Sequence, residues 1–457
     1  MIGGLQNQID LYFNEINKLR STQNSHVPVS GLPAELLSEV FLYIVESYLE
    51  DGGLRFAWGA FKFRQVCKRW NEVAVRFPQL WVHWAPGAFK VWDLFNARSK
   101  GAPISLTWRP RCTEASIYNK TMEDPTIPDR IRALDFNGTN DQLERLLSAF
   151  GSSHSSNASS IQLHITPYDE HGPRTHTTSF LSLPFPKLSK LDINNSLPDS
   201  SSPLFATSNL VSLRLGIPYH DKRCYTRSQF SKILQRHPNL RELYLWQGAM
   251  PQIEPSEPFI PVVLPRLVDL RLHGTEAIIA GCMDIVSMSS PLHNVFIDFE
   301  STSTTTVPAL ANTVKKILAS YYECQELDYP RMADHLTVSL DSKQKSLVFN
   351  AVSRSTSASH PSSNLELRFG GTDKTLAGEI CLLFPLDHVV EFAAIGLRLL
   401  RARYCEIFRK MEALLHLRLD KMDPGLVMGA LSVDDQTERV YNKAAAETLL
   451  VYLRVCS

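Results

Sequence analysis

The sequence predicts an α/β chain, with a helical N-terminal domain followed by a solenoid-like array whose strands form a curved parallel sheet. Three observations carry this. An apolar-x-x-apolar-x-apolar pattern recurs from Ile131 to Leu419. Helix-like segments separate its copies, among them 141–150, 228–235, 307–322 and 400–414. Ahead of the array, residues 31–84 carry apolar side chains at helical spacing. In chain order the expected organisation is an N-terminal helix over 1–27, a helical domain over 28–95, a connector over 96–130 and the array over 131–457.

In the first helix Leu5, Ile9, Tyr12, Ile16 and Leu19 alternate steps of four and three. That seam of about two heptads is too short for a stable coiled coil by itself. The expectation is a helix packed on the following domain, in preference to one that dimerises. Ser21 to Ser30 is a polar link. Pro33 then suits a first helical position, and Glu35 lies in the dipole-favoured first turn. Leu36, Leu37, Val40, Phe41, Ile44, Val45 and Tyr48 form one apolar stripe. Phe63, Val66, Cys67, Trp70, Val73, Ala74 and Phe77 form a second, which Pro78 ends. Two short helices this apolar cannot bury both faces alone, so they need the rest of the chain or a partner.

This stretch resembles the F-box, a motif that docks on a Skp-type adaptor protein. The matching positions are Leu32-Pro33 with Glu35, Leu36 and Leu37, then Val40-Phe41, then Val66-Cys67 with Arg69 and Trp70, then Leu80-Trp81. Where the F-box has a short Leu-containing link, Glu50 to Gly59 intervenes here. The other reading of the same residues is an ordinary helical hairpin with a Trp in its core. Trp81, Trp84 and Trp92 crowd together after it and read as core at a domain junction, in preference to a carbohydrate or base platform. The connector holds one expected strand, Ile104 to Trp108.

Clear copies of the repeat are Ile131/Leu134/Phe136, Leu188/Leu191/Ile193, Leu210/Leu213/Leu215, Leu240/Leu243/Leu245, Leu267/Leu270/Leu272, Leu292/Val295/Ile297 and Leu414/Leu417/Leu419. Weaker ones are Leu163/Ile165, Val338/Leu340, Leu367/Phe369 and Val389/Phe392. Four successive steps are 22, 30, 27 and 25 residues. One such unit cannot bury its own apolar face, whereas stacked units share a core. The pattern resembles a degenerate leucine-rich repeat array, in which each unit supplies a short parallel strand and a returning helix. It departs from tidy arrays in lacking the usual Asn, with Pro218, Gly248 and Thr275 near that place. The alternative is a generic α/β domain with Leu-rich strands. Ser/Thr-rich stretches at 151–160, 196–208, 301–306 and 353–363 read as solvated loops. No polar capping repeat follows Leu450-Val451-Tyr452-Leu453, so the last unit is expected to be exposed or partnered.

Charge is balanced, with 47 basic and 47 acidic side chains and no basic stripe, which argues against nucleic acid as a partner. The eight cysteines (67, 112, 224, 282, 324, 381, 405 and 456) form no C-x-x-C pair and read as reduced, mostly buried thiols, with no metal or cofactor expected. There is no signal-peptide pattern and no apolar run long enough to span a bilayer, so the expected location is the cytoplasm and/or nucleus. No catalytic motif is present: His273, His293 and His416 fall beside repeat strands, and Asp434-Asp435 are adjacent acids with nothing to split their pKa values. The expectation is a binding protein and not an enzyme.

An F-box-like segment followed by leucine-rich repeats is the layout of a substrate receptor in a Skp–cullin–F-box ubiquitin ligase. The resemblance implies that Leu32, Pro33, Glu35, Leu36, Val40, Phe41, Val66, Cys67, Trp70, Leu80 and Trp81 dock on the Skp-type adaptor, and through it reach a cullin scaffold. The array would hold an unknown target protein. A repeat scaffold with no ubiquitin-ligase link is the alternative. Because strand side chains alternate, the residues between the repeat leucines should point outward together. Arg214, Tyr244, Arg271 and Phe296 are expected to form one row on the concave sheet face, with Trp246, His273 and Asp298 in the row beside it. Arg, Tyr and Trp there suggest the target-binding surface, unless a loop or the chain's own tail covers it.

Overall fold

The structure, a computed structural model, describes residues 2–50, 61–84, 92–108, 126–150, 157–166, 185–216, 225–250, 260–287, 292–300, 307–322, 335–341, 346–353, 363–370, 374–397, 399–420 and 450–454. It is an α/β protein with an N-terminal helical region and mostly parallel sheet. The chain forms two compact units, residues 1–187 and 188–457.

The first unit opens with the 24-residue helix α1 (Ile2–Ser25). Every side chain from Leu5 to Arg20 is exposed, so the expected packing of its seam on the following domain is not made. A 3₁₀ turn at Pro28–Gly31 leads into α2 (Ala34–Glu50). Pro33 stands just ahead of the helix, where its carbonyl accepts the N–H of Leu37 at 3.1 Å. The single stripe expected of α2 is divided: Leu37, Phe41 and Val45 are buried, whereas Leu36, Val40 and Tyr48 are exposed, as is Tyr43 beside them.

The second helical segment is broken as well. Lys62–Gln65 is a 3₁₀ turn, Cys67 is extended (φ −159°, ψ 168°), and only then does α3 (Lys68–Arg76) begin. Phe63 stacks on Phe41 with ring centroids 4.2 Å apart, and Trp70 packs at a tilt on the same ring at 5.2 Å. A further 3₁₀ turn, Pro78–Trp81, carries Leu80 and Trp81 into the core. Next in the chain, β1 (His83–Trp84), β2 (Ile104–Trp108), β3 (Ile131–Gly138) and β4 (Ser160–Ile165) pair in parallel in chain order. They alternate along the chain with α4 (Trp92–Ser99), α5 (Thr126–Arg130) and α6 (Asn140–Phe150). Thr139 and Gln142 exchange side-chain bonds with each other's backbone N–H at the head of α6, closing a capping box.

In the second unit β5 (Lys190–Asn194), β6 (Ser212–Gly216) and β7 (Glu242–Trp246) pair in parallel. A short separate pair, β8 (Val262–Val263) with β10 (Val286–Ser287), flanks β9 (Asp269–Gly274) in the chain. β9 and β11 (Asn294–Phe299) continue the main sheet in parallel. Entry to each strand repeats one device, in which one carbonyl accepts two successive N–H groups from the next repeat. Ser189 does this for Val211 and Ser212, Val211 for Arg241 and Glu242, Arg241 for Val268 and Asp269, and Val268 for His293 and Asn294. Helices α7 (Arg227–Gln235), α8 (Glu276–Ile285) and α9 (Val307–Tyr322) lie between strands in the chain. Thr226 and Gln229 cap α7 with a second capping box.

The sheet then departs from an all-parallel, chain-ordered array. β13 (Ser346–Ser353) runs antiparallel to both β12 (His335–Asp341) and β14 (Ser363–Gly370), and it is β14 that pairs with β11. β12 instead joins β15 (Glu391–Ile395), which continues in parallel to β16 (His416–Asp420) and β17 (Leu450–Arg454). Helices α10 (Lys374–Cys381) and α11 (Arg401–Lys410) precede β15 and β16. The buried rows are the repeat leucines: Leu191, Leu213, Leu243, Leu270 and Val295 in one, and Ile193, Leu215, Leu245, Leu272 and Ile297 in the next. Of the Ser/Thr-rich stretches, 196–208 is not simply a solvated loop. Ser202 accepts the Leu204 N–H at 3.3 Å, and Leu204, Phe205 and Thr207 are buried. The bodies of the other three, Asp434-Asp435, residues 51–60 and four of the cysteines lie outside the described residues.

Candidate functional site

On the open face of the second unit's sheet the register sets Arg214 beside Tyr244, Tyr244 beside Arg271, and Arg271 beside Phe296. The row continues to Asp192 at one side and Glu366 at the other. Tyr244 is clasped from both sides, with the Arg214 guanidinium 4.1 Å and the Arg271 guanidinium 4.5 Å from its ring centroid. Such cation–π pairs contribute about 0.5–1 kcal/mol each where water has access. Each guanidinium also has its own carboxylate. Arg214 bonds Glu242 at 3.2 Å, and Arg271 grips both oxygens of Asp269 at 3.2 and 3.3 Å. Burial works against the charged form of Glu242, but bonds from Ser212 and Arg214 hold its pKa below the ordinary value. Farther along, Arg368 lies 5.1 Å over the Phe296 ring and pairs with Glu366 at 2.7 Å. The row is thus rigid, amphipathic and charge-compensated.

The adjacent row holds Trp246, His273 and Asp298 in register. Trp246 is 55% exposed, the one large aromatic of this face left so open among the described residues. Its seat is made by what β6 lacks. A Cβ on Gly216 would displace the Asn194 side-chain oxygen and come within 3.1 Å of the indole, so the glycine lets the ring lie close over β6. On the other side the His273 ring lies 6.2 Å away, and its Nδ1 is 2.9 Å from Asp298. That carboxylate raises the His273 pKa above its ordinary value, against the opposing effect of burial.

The surface of the first unit is of another kind. Leu36, Val40 and Tyr43 follow one another up α2 at steps of four and three, all exposed, and Val66 is exposed on the break before α3. Pro33 and Glu35 are exposed, while Leu32, Cys67 and Trp70 are half-buried. Arg69 donates to the Leu32 carbonyl, tying α3 to the start of α2. Phe41, Leu80 and Trp81 are placed inside the unit, where they brace the outward residues without being reachable themselves. Trp81 and Trp84 are core as expected, their indole N–H groups bonded to the Ala74 and Trp81 carbonyls at 2.8 Å.

Among the described residues no cluster of three or more His, Cys, Asp or Glu could hold a metal, and no helix is long and apolar enough to cross a membrane. Cys282 and Cys381 are free thiols deep in the core, and burial pushes the Cys282 thiol up to about 12. Cys67 and Cys405 are half-buried and in no disulfide. No family model and no curated protein matches the chain.

Two pieces of the site lay outside sequence reasoning. The acids that hold the arginines, Glu242 and Asp269, open their strands two residues before Tyr244 and Arg271. Period-two alternation would have put them on the same face. Gly216 had a fainter signal, as a glycine at a strand's end two places after Arg214.

Proposed function

We propose that the chain is a non-catalytic substrate receptor of a Skp–cullin–F-box ubiquitin ligase, acting in the cytoplasm and/or nucleus. The N-terminal unit docks on a Skp-type adaptor as an F-box does, and the second unit holds a target protein on a leucine-rich-repeat-like sheet face. Ubiquitin transfer belongs to other subunits, and this chain raises the target's effective concentration beside them. What carries the reading is how the positions shared with the F-box divide. Phe41, Leu80 and Trp81 form the support, while Leu36, Val40 and Val66 stand exposed at 52%, 42% and 52%. Apolar side chains grouped on a surface mark a place that another protein covers.

Co-purification with the Skp-type adaptor is the test. A Leu36→Asp/Val40→Asp variant changes only exposed sites and should keep its fold, with adaptor binding weakened at least about tenfold, or roughly 1.4 kcal/mol. Adaptor capture at wild-type strength by that variant would count decisively against the F-box reading. It would leave a repeat scaffold without a ubiquitin-ligase link.

The target face has its own test. Tyr244→Ala/Trp246→Ala removes the clasped ring and the open indole. It should cost about 1–2 kcal/mol in stability, from the two lost cation–π contacts and some packing. Adaptor binding should be untouched and target capture lost, since aromatic and Arg residues dominate interface energetics. Full target capture by a folded variant moves the target site elsewhere.

A further inference from the structure

The helix α1 has an unsatisfied seam, and its sequence specifies what fits there. Leu5, Ile9, Tyr12, Ile16 and Leu19 are each exposed although they fall on one stripe. With Ile9 and Ile16 at the first apolar position of the heptad, Leu5, Tyr12 and Leu19 take the other. β-branched residues at the first and leucines at the second select parallel two-stranded coils, a pattern this seam keeps at Ile9, Ile16, Leu5 and Leu19 and departs from at Tyr12. Of the residues flanking the seam, Glu15 and Arg20 are five apart and exposed. In a parallel, in-register pair that is the spacing that brings Glu15 of one helix against Arg20 of its twin, twice by symmetry. An antiparallel pair would not bring them together. Phe13, also exposed, borders the same seam and adds to the area covered, whereas Leu11 lies off it.

We infer that α1 is a homodimerisation element, its occupant a second copy of α1 in parallel register. The seam is short, so association is concentration-dependent, and two receptors are joined through their N-terminal helices. This inference rests on α1 alone and stands whether or not the chain binds a Skp-type adaptor.

Sedimentation or light scattering of the full chain over a wide concentration range reads it directly. Mass should rise from 51.6 kDa toward twice that value. Ile9→Asp/Ile16→Asp should hold it at the monomer mass. Glu15→Arg sets guanidinium groups against each other and should weaken dimerisation about fivefold, while Glu15→Arg/Arg20→Glu restores it. The sites are exposed, so no variant threatens the fold. A mass that stays at 51.6 kDa at every concentration overturns the inference. So does association indifferent to the Glu15→Arg change, or a double exchange that fails to restore it.

Discussion

Trp81→Ala is expected to destabilise the first unit by about 3–5 kcal/mol, the range for emptying a large aromatic site in a core. Trp81 is 1% exposed, and its N–H donates to the Ala74 carbonyl at 2.8 Å. Its ring stacks on Phe61 at 4.9 Å, meets Phe95 edge-on at 5.2 Å and receives the guanidinium of Arg98 at 4.7 Å and of Arg64 at 5.2 Å. Burial and the nearness of Arg98 both lower the Arg64 pKa. Truncation would therefore leave two cations facing a void. Urea unfolding followed by far-UV circular dichroism checks this, with Trp246→Ala as the exposed control, expected to cost about 1 kcal/mol or less. An unchanged midpoint for Trp81→Ala would mean that the indole is not structural. Under the proposed docking, adaptor binding should fall with the fold, because Phe41 and Trp81 are buried and brace the outward residues.

The second large effect is with acid. His237 is fully buried beside Phe205, and among the described residues neither ring nitrogen has a partner at hydrogen-bond geometry. Burial lowers its pKa to about 4, the nearby Thr207 backbone opposing this only in part. In the unfolded chain the group titrates near its ordinary value of about 6.5, so the unfolded state takes up a proton first. Stability from this group is full above about pH 6.5, falls as pH drops toward 4, and changes no further below that. The difference corresponds to about 3 kcal/mol. Unfolding free energies at pH 7 and pH 4 should show wild type losing about that much more than His237→Leu, which cannot charge. Equal losses would show that the imidazole is already solvated in the folded chain.

The repeat strands were legible because their signal is local. Each of the seven clear copies and four weaker ones runs into a strand, from Ile131 in β3 to Leu419 in β16, although in seven of them the first apolar position lies just ahead of it. Helices over 140–150, 227–235 and 307–322 likewise follow from apolar periodicity. The Thr-x-x-Gln pairs that start two of them are local signals of the same kind. The outward row from Arg214 to Phe296 followed from alternation alone, since a strand cannot point neighbouring side chains to one side.

Other features had no local signal. β13 has the same alternation as its neighbours, and nothing within it states that it runs antiparallel or that β14 rather than β12 pairs with β11. The break at Cys67 lies between Phe63 and Trp70, which both pack on Phe41, contacts that span two helical segments. Within α2 the split of one apolar stripe into buried Phe41 and open Val40 depends on which elements are there to cover it. Periodicity therefore determined the repeat strands, several of the helices between them and the outward row of the sheet, because those depend on neighbours three or four residues away at most. Strand order, the seat of Trp246 over Gly216 and the choice of which apolar residues remain uncovered were decided only in the tertiary structure, because each depends on packing between segments distant in the chain.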